Sequence, residues 1–160
     1  PKVHLIHGHM TGEEISSLYL EPSIKAFVSL TRGEGFGLPL LESAASGLPI
    51  IVTNWSGHLD FLQKKKFIPV HYKLVDIPSS KIDNRIFVEK SKWAEPIEND
   101  FKKKVKKFRH NYKIPQEWAK DLMTPIKENF SHKKICESYN SVLNGFLSSD
   151  ITSFNNEDKK

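Results

Sequence analysis

An α/β fold built on a parallel sheet is predicted by three observations in this 160-residue chain. Two largely apolar runs, Ala26-Phe27-Val28-Ser29-Leu30 and Ile50-Ile51-Val52-Thr53, lack the strict alternation of a half-exposed strand. A glycine-rich turn and a short helical stretch, Leu40 to Ser46, lie between them. A third apolar run, Val3-His4-Leu5-Ile6-His7, is followed by a helix signal of its own. Strand, helix, strand, helix, strand in that order implies parallel strands joined by right-handed crossovers.

Taken in order, Val3 to His7 reads as a short strand ended by Gly8. Thr11-Gly12-Glu13-Glu14 has the spacing of a capping box, and Ile15, Leu18 and Tyr19 mark one apolar helical face after it. Glu21-Pro22-Ser23 breaks that helix. After the strand at Ala26–Leu30 comes Arg32-Gly33-Glu34-Gly35-Phe36-Gly37-Leu38-Pro39, and Pro39 suits a first helical turn because its missing N–H costs nothing there. Gly47 followed by Pro49 is a stop signal. The residues after each strand, His7–Met10, Thr31–Leu38 and Asn54–Asp60, share the carboxyl edge of the sheet, where ligands bind on such folds.

The second half is helical and basic. Gln63-Lys64-Lys65-Lys66 reads as an exposed loop, Phe67 to Asp76 as a strand or extended arm, and Ile77 to Lys90 as a polar loop with an apolar patch at Ile86-Phe87-Val88. Phe101, Val105 and Phe108 repeat at helical spacing, with lysines at 102, 103, 104, 106 and 107 on the remaining faces. That stripe is the solvated side of an amphipathic helix in the plainer reading, and a basic surface for lipid head groups or nucleic acid in the other. Trp118, Leu122 and Ile126 mark a further helix with Pro125 forcing a kink or restart, and Ser131 caps the last one. Ile135, Tyr139, Val142, Leu143 and Phe146 form its apolar stripe, expected in the core with Cys136 a buried thiol. Residues 148–160 read as a polar, disordered tail, leaving 1–147 as one domain.

Composition narrows the classes. The net charge of +5 permits an anionic partner without demanding one. A single cysteine excludes an internal disulfide and fits a reducing, cytoplasmic location. No apolar run approaches the ~20 residues of a membrane span, and no secretory signal is present. The first residue is Pro1, and a strand-like run follows at once, so we expect a part of a longer protein.

The glycine turn is the candidate site. Helix-start N–H groups lack partners and carry partial positive charge, and Gly33, Gly35 and Gly37 let backbone approach a ligand closely. Glu34 sits in the turn and Glu42 about one helical turn in, roughly 5 Å along the axis. Carboxylates repel phosphate but accept hydrogen bonds from hydroxyls. A ligand with hydroxyls on both sides of a diphosphate is a sugar nucleotide. The alternative is a tight strand-to-helix turn with both glutamates on the surface. The spacing is neither the dinucleotide pattern nor a P-loop. His7, His9 and His58 at one edge match no standard metal spacing.

Glu34-Gly35-Phe36-Gly37-Leu38-Pro39, with Glu42 completing a Glu-x7-Glu spacing, resembles the donor-binding motif of GT-B glycosyltransferases, specifically the retaining glycosyltransferase 4 group. Ala44-Ala45-Ser46-Gly47-Leu48-Pro49-Ile50-Ile51-Val52-Thr53 continues the likeness in register, as does Trp55-Ser56-Gly57-His58-Leu59-Asp60-Phe61-Leu62. The resemblance implies a Rossmann-like parallel sheet flanked by helices, the incomplete C-terminal half of such an enzyme. It implies a nucleotide-diphosphate sugar donor, transfer with retention, and no metal or other cofactor. It makes Glu34 the catalytic position, touching donor-sugar hydroxyls, and Glu42 the contact to the ribose. Thr31, Gly35, Phe36, Gly37, Leu38 and Asp60 join the donor site, and His7, Gly8 and His9 neighbour the nucleotide base. A further N-terminal segment with a basic pair, and an acceptor domain before it, would be supplied from outside these residues. Nucleic acid is not an expected partner, and peripheral membrane contact is possible without being predicted. Two other classes compete: a non-catalytic nucleotide-sugar or glycan-binding module, and a basic interaction domain using the helix at Lys102–Lys107.

Overall fold

The computed structural model describes residues 2–157, with side-chain surroundings described as far as residue 147. Three strands form a parallel sheet in the order β1 (Phe27–Ser29), β2 (Ile50–Thr53), β3 (Ile68–Val70). The register sets Phe27 beside Ile50, and Ile51 beside Ile68. β2 is central and buried along its whole length, which is why its four residues need no polar face. Helix α1 (Gly12–Leu20) packs on α2 (Leu38–Ala45), and α2 packs on β1 and β2. The short α3 (Leu59–Leu62) links β2 to β3.

A second, two-stranded antiparallel sheet pairs β4 (Tyr72–Asp76) with β5 (Lys92–Pro96), with a 3-10 turn at Ser79–Lys81 in the connection. Helix α4 (Glu98–His110) follows and packs on β3. Ile51, Val70 and the buried Phe108 form one core cluster, with Leu30, Phe101 and Val105 packed against it. The helical spacing of Phe101, Val105 and Phe108 therefore marks the buried face. Lys102, Lys103, Lys106 and Lys107 are exposed, as the plainer reading of that stripe expects.

The arrangement is the Rossmann-like α/β layering expected, with one strand exchanged. Val3 to His7 forms no strand, and its side chains stand in water, Val3 at 89% and Leu5 at 87% exposure. A strand exists only when its N–H and C=O groups find a partner. Among the described residues this run has none, and β3 takes the third place instead. Locally encoded features formed as expected. Thr11 and Glu14 make both bonds of the capping box, at 3.2 and 2.7 Å. The Ser131 hydroxyl accepts the Lys134 amide at 3.3 Å.

The chain divides into two compact units, residues 1–124 and 125–160. Helix α5 (Lys113–Asn129) carries Pro125 within it instead of restarting there. Helix α6 (His132–Glu157) presents its apolar stripe to solvent: Tyr139, Val142, Leu143 and Phe146 are exposed. Cys136 is exposed as well, beside His132 at 3.7 Å, and is not the buried thiol expected. Apolar spacing shows what a helix can bury, not what covers it. The stretch read as a polar tail is helical as far as Glu157, since extending a helix is far easier than starting one. Residues 158–160 lie outside the described residues.

Candidate functional site

Two loops at the carboxyl edge of the sheet meet face to face. One follows β1 and runs from Thr31 to Gly37, and the other follows β2 and runs from Asn54 to His58. Ser56 joins them: its hydroxyl accepts the Glu34 amide at 2.9 Å and donates to the Glu34 carbonyl at 2.6 Å. The Gly57 amide donates to the same carbonyl at 3.1 Å. To do this Ser56 holds a left-handed backbone, φ 92°. Gly57 must be glycine on steric grounds, because a Cβ there would lie 1.9 Å from the Gly35 carbonyl oxygen. The two loops are interlocked.

Gly37 caps α2 with φ 85°, a conformation that glycine adopts without strain. It offers no side chain to the helix start, and none bonds there. Pro39 has no N–H, and the Leu40 and Leu41 amides both donate to the Gly37 carbonyl at 3.0 Å. An anion at this end would thus be met by loop amides up to Leu38, with the helix dipole behind them. Phe36 is 38% exposed and stands on the buried Phe61, ring centres 5.4 Å apart. It is half a plug and half a surface. Leu38 is exposed, and Thr31 is half-buried.

The glutamates lie in different surroundings. Glu34 is half-buried, its backbone clamped by Ser56, and its carboxylate has no hydrogen bond or ion pair among the described residues. Glu42 is exposed on α2, where its carboxylate accepts a long 3.5 Å bond from the Tyr19 hydroxyl of α1. Burial, then the charge and hydrogen bond of Glu42, push the Tyr19 hydroxyl above its ordinary 10.0. Neither acid is neutralised by a cation of the protein among the described residues, so both keep their accepting oxygens available.

Other expected positions part company. Asp60 is exposed in the first turn of α3. His7, Gly8 and His9 are exposed, with Gly8 at φ 124°. His58 is wholly buried and pairs Nε2 with the Thr53 carbonyl at 2.9 Å, leaving Nδ1 without a partner among the described residues. Its neighbour is Gly37, whose absent Cβ would sit 3.2 Å from His58 Cβ. His58 therefore supports the α2 cap from beneath. No group of three metal-ligating side chains gathers among the described residues.

Sequence reasoning missed Ser56, whose role depends on a residue 22 positions away. It also missed Arg32, which makes a two-pronged ion pair with Glu95 and lies over the Trp93 ring at 4.6 Å. The only local signal for the first was the Ser-Gly pair, and there was none for the second.

The family model for glycosyl transferases group 1 matches residues 1–80, half the chain, and takes in both interlocked loops and both glutamates. No curated protein matches the chain.

Proposed function

The chain belongs to the group 1 glycosyl transferases, and from that membership we propose that the loop between Thr31 and Leu38 holds a nucleotide-diphosphate sugar. Its family acts in glycosyl transfer, and the structure is a GT-B-type α/β domain. The observation that carries the finer reading is the pairing of a Gly37-capped helix start, where no side chain bonds, with a Glu34 carboxylate that no cation neutralises among the described residues.

Breaking the bond between an anomeric carbon and a diphosphate puts positive charge on the sugar and negative charge on the leaving phosphate. Preorganised amide dipoles at Gly35 to Leu38 face the leaving group in this reading, and they need no reorganisation at the moment of reaction. Glu34 accepts hydrogen bonds from hydroxyls of the donor sugar and acts as the catalytic position. Glu42 accepts from the ribose, with Tyr19 orienting it. Phe36, anchored on Phe61, walls the sugar, and Asp60 adds a peripheral contact. His7 to His9 neighbour the base. The dipoles take the place of a metal, and transfer proceeds with retention. An acceptor domain outside these residues completes the cleft, and the 160 residues alone bind without turning over.

Calorimetry with UDP-, GDP- and ADP-sugars tests this. One nucleotide series should bind, unaffected by EDTA. Glu42→Ala should weaken it by roughly tenfold, the worth of a charged hydrogen bond of about 1.5 kcal/mol. Equal affinity of wild type and Glu42→Ala for every nucleotide would overturn the assignment.

A further inference from the structure

A cavity of about 320 Å3 opens between β3, α4 and α5. No residue of the two interlocked loops lines it. It borders Phe67 and the amino end of β3, whereas the candidate donor site lies at the carboxyl edge of the sheet. Independently of the donor reading, we propose that this cavity binds a medium-chain fatty carboxylate, with its alkyl tail between the helices and its head group on Lys107.

The sequence builds the walls. Lys104, Lys107, Phe108 and Asn111 recur at the spacing of one helical stripe along α4 and its cap. Ile114 and Trp118 stand one turn apart and share a face of α5. Helix α4 is fastened to β3 on one flank of the cavity. Lys104 Nζ donates to the Pro69 carbonyl and pairs with Asp100 at 2.8 Å, and Asp100 accepts the His71 amide at 2.7 Å. Phe108 and Pro115 line the cavity from buried positions, and Ile114 lines it from an exposed one.

The lining selects the class of ligand. Apart from Lys104, Lys107 and Asn111 it is aliphatic or aromatic. Such side chains offer almost nothing to a heteroatom, and an unanswered polar group is costly there, so the part of the ligand inside is hydrocarbon. The charged residues of the lining are two lysines, with no carboxylate among them. Lys104 is committed to Asp100, as Lys102 is to Glu98. Lys107 is exposed, and its ammonium makes no hydrogen bond or ion pair among the described residues. Lys66 adds positive charge from a second element, its ammonium 5.8 Å from the centre of the Trp118 ring. A lysine with its stem on apolar surface and its head in water suits one anionic group. Few polar groups on an apolar wall is also the composition of a small-molecule site.

Size sets the tail. A methylene group takes up close to the volume of a liquid water molecule, roughly 30 Å3, so the 320 Å3 cavity holds on the order of ten carbons. A shorter chain leaves part of it empty, and a longer one must trail into water.

The test is calorimetry and tryptophan fluorescence on the 160-residue chain with sodium hexanoate, octanoate, decanoate and tetradecanoate. Affinity should rise about fourfold per methylene as far as decanoate, the worth of burying each one, and level off once the cavity is full. Decanol, which lacks the charge, should bind about fivefold more weakly than decanoate, and Lys107→Gln should erase that difference. Lys103→Gln removes the same charge from an exposed position outside the cavity and should change nothing. Ile114→Trp, at an exposed position where folding is not at stake, fills the cavity and should abolish decanoate binding. Nucleotide-sugar affinity should be the same in all three variants, so this site and the donor reading stand or fall separately. Three results would overturn the proposal. One is no binding of decanoate at about 1 mM. Another is binding indifferent to both Lys107→Gln and Ile114→Trp, or an affinity that keeps climbing to tetradecanoate as on an open surface. The last is binding to vesicles of phosphatidylcholine and phosphatidylglycerol without binding of free decanoate, weakened as much by Lys103→Gln as by Lys107→Gln, which would make this face a membrane contact instead.

Discussion

Val3–His7 and Ile50–Thr53 are similar runs of apolar residues with opposite fates. Ile50 to Thr53 pairs on both edges and is buried throughout. Val3 to His7 pairs with nothing among the described residues and stays in water. Both are mostly apolar, though Val3–His7 carries two histidines and Ile50–Thr53 is β-branched throughout. What separates them is a strand on each side and helix α2 packed on the face of β2. A backbone run gains from leaving water only when its polar groups are answered. The loops show the same rule. The loop at Thr31–Gly37 is held by the hydrogen bonds of Ser56 and Gly57, whereas Gly8 and its neighbours have no such counterpart among the described residues.

That contrast can be broken by mutation. Ile51→Ala, at the centre of the paired strand, should cost about 4 kcal/mol in urea unfolding, through lost burial and the cavity it leaves. A cost below 1 kcal/mol would show that the sheet is not the core. Gly57→Ala should cost roughly 3 kcal/mol, because the methyl strikes a carbonyl that cannot yield. Ser56→Ala loses both hydroxyl bonds, for about 2 kcal/mol, and Ser56→Gly should lose less because glycine relieves the left-handed backbone.

Acid sharpens the contrast between β3 and the unpaired run. Burial pushes the Asp100 carboxyl up, but the Lys104 ammonium at 2.8 Å and the His71 amide at 2.7 Å outweigh it and hold it below the ordinary 3.8. A carboxyl lowered in the folded state stabilises fully above its unfolded value and loses that contribution as pH falls through the folded one. Stability should therefore drop below about pH 4, and Asp100→Asn should flatten that drop. Thermal melts from pH 6 down to pH 2.5 would read it; a wild-type slope kept in Asp100→Asn would assign the acid sensitivity elsewhere. The smallest effect belongs to Leu5→Ser, under about 0.5 kcal/mol because the side chain is already solvated. A loss as large as that of Ile51→Ala would mean that the run is packed after all.

How far the chain could be read depended on how far apart the interacting residues lie. The Thr11 capping box, the Pro39 helix start, the span of β2 and the buried face of α4 are local patterns, and each formed as read. The glycine turn and the Glu34–Glu42 spacing were equally plain. Position in the sheet was not legible, since Val3–His7 and Ile68–Val70 offer similar runs and pairing chooses between them. Nor was burial on α6, where the apolar stripe and Cys136 are exposed. His58, read as one of three histidines at the sheet edge with no metal spacing, proved to be a buried support for Gly37. The Arg32–Glu95 pair spans 63 positions, a separation at which no spacing rule operates.

The lock between Ser56-Gly57 and Glu34-Gly35 has a mechanical consequence. Two segments sharing hydrogen bonds at 2.6 to 3.1 Å, with no room for a methyl group between them, should move together. A molecule gripping the tip of one will slow amide exchange in the other, so Trp55 to His58 should report occupancy from behind the cradle without touching its guest.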